Sequence, residues 1–187
     1  PFMNKYTSVD DYEILMVNEE DFNNLYDFII NNIEQKSIFD ISYKNPSFNI
    51  NEFDQLYLRN MIFNMTEDYF ILKQNNKIIG LLSISCNFAQ SNSEINLVIG
   101  DLESIDRLMN YILTNYMKIT LKNPSKIKFL CTSIEKNNLE KLLNLIGNHK
   151  FEYETVLKKE INRNDIEIYS LFLDWKNKRV LNEYFTK

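Results

Sequence analysis

Apolar positions recur along this chain with two periods. Phe22, Leu25, Tyr26, Ile29, Ile30 and Ile33 step by three and four, forming one stripe of an α-helix. Asn18 ahead of them offers an N-cap. Glu19, Glu20 and Asp21 fill the first turn, where the helix dipole favours acids. A second stripe starts near Ser104 and runs through Ile105, Leu108, Met109, Ile112, Leu113 and Tyr116. A third, from about Glu135 to Ile146, carries Leu139, Leu142, Leu143 and Ile146, with Gly147 as its stop signal. A fourth helix is expected from Asn51 to about Met65, burying Phe53, Leu56, Tyr57 and Met61. Strand patterns fall at 12–17, 69–73, 77–86, 94–99, 126–132, 151–161 and 166–173. Asn75-Asn76 and Asn162-Arg163-Asn164 suit hairpin turns, because Asn tolerates positive φ, and Gly80 suggests a bulge.

The order is β-α-α-β-β-β-α-β-α-β-β. It predicts one α/β domain over residues 1–187, a mixed central sheet of about seven strands flanked by helices on both faces. Pro1 and Phe2 read as a cloning remnant ahead of a natural Met3, and no secretory leader follows. The tail 174–187, with Trp175, Leu181, Tyr184 and Phe185, is expected to pack as a short helix or mark an interface.

Composition narrows the classes. Apolar residues make up 44% and aromatics 13%, enough for a core without metal or disulfide support. No apolar run reaches the roughly 18 residues of a membrane helix. A net charge of −5 argues against a nucleic-acid binder. Abundant Asn, Ile and Lys beside a lone Ala89 read as the codon usage of an AT-rich bacterial genome. Cys86 and Cys131 lie in apolar strands and read as reduced thiols of a cytoplasmic protein. His149 is the only histidine, so a metal centre or a histidine-based nucleophilic site lacks material. Just past a helix end, it reads as a solvated C-terminal cation.

The element order, most clearly over 69–173, resembles the GNAT superfamily of acyl-CoA-dependent N-acyltransferases. Asn75-Asn76-Lys77-Ile78-Ile79-Gly80-Leu81-Leu82 is similar to the family's second-to-third strand hairpin. Asn137-Asn138-Leu139-Glu140-Lys141-Leu142-Leu143, followed by Phe151-Glu152-Tyr153-Glu154, is similar to its late helix and the strand after it. The resemblance implies transfer of an acyl group, normally acetyl, from acetyl-CoA or another acyl-CoA to a small-molecule or peptide amine, without metal. It implies that the family's fourth and fifth strands splay, that the pantetheine arm enters the gap, and that Asn96, Leu97, Val98, Ile99 and Gly100 lie along it. The pyrophosphate would sit at the helix N-terminus near Ser104, with Asn137 also beside the donor. A homodimer is compatible with such a protein.

The family's phosphate motif, Arg/Gln-x-x-Gly-x-Gly/Ala, corresponds here to Gly100-Asp101-Leu102-Glu103-Ser104-Ile105-Asp106-Arg107. That segment holds one glycine and three acids, which read as helix caps. Glu94 matches where some family members keep a carboxylate base. Cys131 would face the cleft as a thiol nucleophile or acid; each residue has an ordinary structural alternative, a strand-end acid and a small core residue. The acceptor site would come from the first two helices and the loop from Ser37 to Asn51, with Phe39, Asp40, Tyr43 and Phe48. Two alternatives stay open: a GNAT-fold binding or regulatory module that has lost catalysis, and an acyltransferase with a carrier-bound rather than CoA-bound donor.

Overall fold

The structure, a computed structural model, describes residues 6–7, 12–33, 38–87, 89, 91–132, 135–161 and 163–173. The sequence-based expectations for 1–2, Asn162 and the tail 174–187 lie outside them.

All seven expected strands form, and two short ones join them. In chain order they are β1 (Tyr6–Thr7), β2 (Tyr12–Met16), β3 (Ile41–Lys44), β4 (Glu67–Gln74), β5 (Lys77–Asn87), β6 (Asn92–Gly100), β7 (Lys126–Thr132), β8 (Glu152–Ile161) and β9 (Asn164–Phe172). They share one sheet in the order β1-β2-β4-β5-β6-β7-β9-β8, with β3 added onto β6. Only β6 and β7 run parallel; the other neighbours are antiparallel. Asn75 and Asn76 close the β4–β5 hairpin at φ 50° and 62°, as Asn-rich turns do. Beside that hairpin the β4–β5 register slips between Leu72 and Lys73, which leaves Ile79 unpaired next to Gly80. A Cβ on Gly80 would stand 3.1 Å from Leu108 Cδ1, so glycine there lets the following helix lie close to the sheet.

Among the described residues four α-helices cover the two faces: α1 (Phe22–Ile33), α2 (Gln55–Phe63), α3 (Leu102–Thr120) and α4 (Glu140–Asn148). On one face α3 and α4 bury Leu108, Ile112, Leu142 and Ile146 against Phe70, Leu82 and Phe129. On the other, α1 and α2 bury Leu25, Ile29 and Leu58 against Tyr69, Ile71, Leu97 and Ile99. The Asn18 side chain accepts from the Glu20 N–H, as an N-cap should. The second expected helix is shorter than its pattern. A 3₁₀ turn, Ile50–Glu52, precedes it, and Asp54 caps α2 by accepting from the Tyr57 N–H. This sets the helical phase so that Leu58 is buried and Leu56 is exposed, which corrects the expectation for Leu56.

Two polar ties fix α3. Lys122, just past its end, is buried with Asp68 of β4, its Nζ 2.7 Å from Oδ2, and Tyr116 donates to the same carboxylate at 2.9 Å. His149 is not left in solvent as its position after a helix end suggested. Its side chain is 10% exposed, and Nε2 lies 2.8 Å from Asp106 Oδ1, joining the end of α4 to α3. Both cysteines are free, with β6 between their strands, as expected.

Candidate active site

The parallel pair β6–β7 is the shortest pairing among the long strands. It covers only Asn92, Ser93 and Glu94 opposite Lys126, Ile127 and Lys128. Immediately beyond, the β5–β6 register slips: Ser83 pairs Leu97 while Ile84 pairs Ile95. Asn96 is therefore the extra residue of a bulge, and a bulge bends its strand. β6 turns away from β7 at this point, and the sheet forks.

A groove of about 470 Å³ opens at the fork on the α2 face. Glu67, Ser85 and Glu94 stand in one row across β4, β5 and β6 and line it. Tyr57 and Met61 of α2, Phe48, Cys86 and Asn96 complete its walls. Glu67 is 4% exposed. It accepts from Ser83 Oγ at 2.7 Å, and Ser83 Oγ accepts from the Leu97 N–H at 3.1 Å. The amide loosened by the bulge is thus satisfied through Ser83, and a carboxylate is fixed at the groove wall. Burial holds the Glu67 carboxyl above its usual range, partly offset by the Ser83 hydrogen bond. Glu94 is more open and lies 3.8 Å from Lys128 Nζ.

Beyond the fork, β3 fills the space between the strands. Tyr43 pairs Val98 and Lys44 pairs Leu97, while the Asn45 N–H donates to the Asn96 carbonyl at 2.7 Å. The Tyr43 side chain, 1% exposed, reaches across to β7. Its hydroxyl donates to the Leu130 carbonyl at 2.7 Å and its ring centroid lies 4.4 Å from that of Phe129. The backbone of Asn96 to Gly100 therefore has β5 on one side and residues 41–45 on the other.

The N-terminus of α3 is occupied too. Asp101 accepts from the Ser104 N–H at 2.7 Å, which makes it the N-cap. The Asp40 carboxylate lies 2.8 Å from Lys141 Nζ, and that cation together with the neighbouring Leu102 backbone holds its pKa down. Arg107 turns to Glu103 at 2.8 Å and lies over the Tyr12 ring.

The residues singled out from the sequence thus fall into three places. Glu94 and Asn96 line the groove. Leu97, Val98, Ile99 and Gly100 lie along the β3-covered edge, and Ser104 lies at the α3 cap. Asn137 is in the 3₁₀ turn Lys136–Leu139; its side chain is outside the description. Cys131 is not brought to Glu94. It is fully buried among the α3-face core residues, and burial pushes its thiol up to about 11. Asp40 and Tyr43, expected at the acceptor site, sit instead in the fork and at α3. Phe48 does line the groove, and Phe39 packs on Phe28. Glu67 escaped the sequence reading, although an acid opening an otherwise apolar strand was its signal. Among the described residues no group of histidine, cysteine and acid side chains could hold a metal ion. No described helix is long and apolar enough to cross a membrane.

No family model matches the chain, and no curated protein matches its sequence. Solved structures do match. The spermidine N-acetyltransferase of Vibrio cholerae superposes with a TM-score of 0.61 at 19% identity, covering 90% of this chain and 98% of its own. An acetyl transferase of Salmonella typhimurium that modifies the N-terminal serine of a 50S ribosomal subunit protein gives 0.64 at 13%, covering 89% and 97%. A ribosomal-protein-S5-alanine acetyltransferase of Vibrio fischeri gives 0.63 at 19%, covering 91% and 97%. The overall fold shared with these three acetyltransferases over nine-tenths of the chain is the GNAT fold.

Proposed function

We propose that the chain is an N-acyltransferase that moves an acyl group from a CoA thioester to a primary amine in the fork groove. The observation that carries this is the acidic row Glu67–Ser85–Glu94, placed where β6 and β7 part. A primary amine arrives as ammonium, and two carboxylates attract it. One of them must take a proton before nitrogen can attack. Glu67 suits that task, being buried, oriented by Ser83 and raised toward neutrality by desolvation. Glu94, nearer solvent, would hold the ammonium and relay the proton outward. The amine then attacks the thioester carbon, the C–S bond breaks, and the amide forms. The CoA thiolate leaves and is protonated from solvent, so the net products are amide, CoA thiol and one proton. This assigns Glu94 a binding role and gives Cys131 none. The amine belongs to a small molecule or a peptide, a size that the groove accepts. A homodimer is part of this reading, since Tyr153 and Leu157 are exposed on the outermost strand β8. Light scattering of the eluted protein checks it.

The filled edge of β6 favours a second reading, a GNAT-fold module without catalysis. One assay separates the two. Purified chain is mixed with acetyl-CoA and a panel of polyamines, amino acids and N-terminal peptides, and thiol release is followed with mass detection of the amide. Amide formation that disappears in Glu67→Gln supports the transferase. Absence of product across the panel, with both proteins folded, supports the module.

A further inference from the structure

We infer that residues Asp40–Asn45 are a built-in competitor of the acyl donor, so that the donor binds only as this segment leaves the fork. The inference rests on the transferase reading above and concerns regulation of that same site. Three observations carry it. The sheet is open beyond Glu94, and β3 is the only described element that closes it. Outside its ladder to β6, the segment is held by contacts to four separate elements: Asp40 to Lys141 of α4, Ser42 Oγ to the Asn32 carbonyl of α1 at 2.7 Å, Tyr43 to β7 through its hydroxyl and ring, and Asn45 to β6 through its backbone N–H and side-chain amide. Finally, its chemistry parallels that of an acyl-CoA. The pantetheine arm is an extended chain with two amides, and it ends in a diphosphate. Ile41–Lys44 is an extended chain of peptide groups paired to β6, and Asp40, one residue before the Ile41–Gly100 pair, places an anion beside the start of α3, where a diphosphate would lie. One edge and one helix terminus cannot serve both. The donor's apparent affinity is then lowered by the fraction of molecules in which the segment is out.

Release of Asp40 would also free its partner Lys141 for the incoming diphosphate. Binding and opening are therefore coupled through one exchange of anions.

The test is acetyl-CoA titration by calorimetry of wild type, Tyr43→Ala and Asp40→Asn, with amide hydrogen exchange at Asn45 read with and without the donor. Asp40 is half-exposed, so Asp40→Asn keeps the fold even if removal of the buried Tyr43 ring does not. The expected result is binding that tightens about tenfold or more in Tyr43→Ala and about threefold in Asp40→Asn, with Asn45 losing protection when wild type is saturated. Binding with Asn45 still protected overturns the competitor and leaves the transferase standing. No binding by any of the folded proteins at millimolar acetyl-CoA overturns both.

Discussion

Along a single edge β6 has two neighbours of different kinds. From Asn92 to Glu94 it pairs β7, which is itself backed by β9 over seven residues, Lys126 to Thr132. From Leu97 to Gly100 it pairs β3, four residues long, which among the described residues pairs no further strand. The first half is part of a continuous sheet and shares its cooperativity. The second half is completed by a strand that can leave without dismantling the sheet, the kind of local opening that functional elements draw on. Between the halves lies the Asn96 bulge, where Ser83 Oγ accepts from the Leu97 N–H and donates to Glu67. The chemistry is thus placed at the boundary between a fixed and an exchangeable region.

The difference can be tested from either side. Glu67→Gln strikes the boundary. It should reduce turnover by about 10²–10⁴-fold, the usual contribution of a general base, with a smaller change in the amine KM. Steady-state rates across pH check it, because wild-type turnover should rise as Glu67 ionises and the variant should lose that limb. The same variant has a thermodynamic signature. A carboxyl whose folded pKa is raised binds its proton more tightly when folded. Wild-type stability should therefore fall as pH rises from the ordinary value of 4.5 through the folded pKa, then level off. Urea unfolding at several pH values should show Glu67→Gln lacking this decline.

Lys122→Met strikes the fixed half. It leaves Asp68 buried without its cation and should cost about 3–5 kcal/mol, read by chemical denaturation. Donor binding by the protein that remains folded should be unchanged. His149→Ala, which removes the tie between α4 and Asp106, should cost about 0.5–1.5 kcal/mol by the same measurement. The smallest effect is at the α3 cap: Asp101→Ala should cost about 1 kcal/mol, and Asp101→Asn, which still caps, close to none.

The fixed region was largely legible in the sequence. The stripes through Leu25, Leu108 and Leu142 and the apolar runs of 77–86 and 126–132 specify their elements locally; the stripes and the alternation of 126–132 are buried as their periods require, while 80–84 are buried on both faces. The exchangeable region was not. Ile41-Ser42-Tyr43-Lys44 is four residues between polar loops, too short for periodicity to speak, and it is a strand only because β6 offers it an edge. Glu94 was legible as a strand-start acid. Glu67 was marked only as an acid opening an apolar strand; its role comes from a row across three strands, which that local signal does not encode. His149 misled for a similar reason: its place after a helix stop signalled solvent, while Asp106, forty-three positions away, draws it inside.

The most direct test of the two-region account is native-state hydrogen exchange of the chain alone, followed by NMR in low denaturant. The account predicts that the Asn45 amide, bonded to the Asn96 carbonyl, exchanges through an opening cheaper than global unfolding, while core amides of β5 and β7 exchange only with the whole sheet. Asn45 exchanging at the global unfolding free energy would contradict it, because β3 would then belong to the fixed sheet.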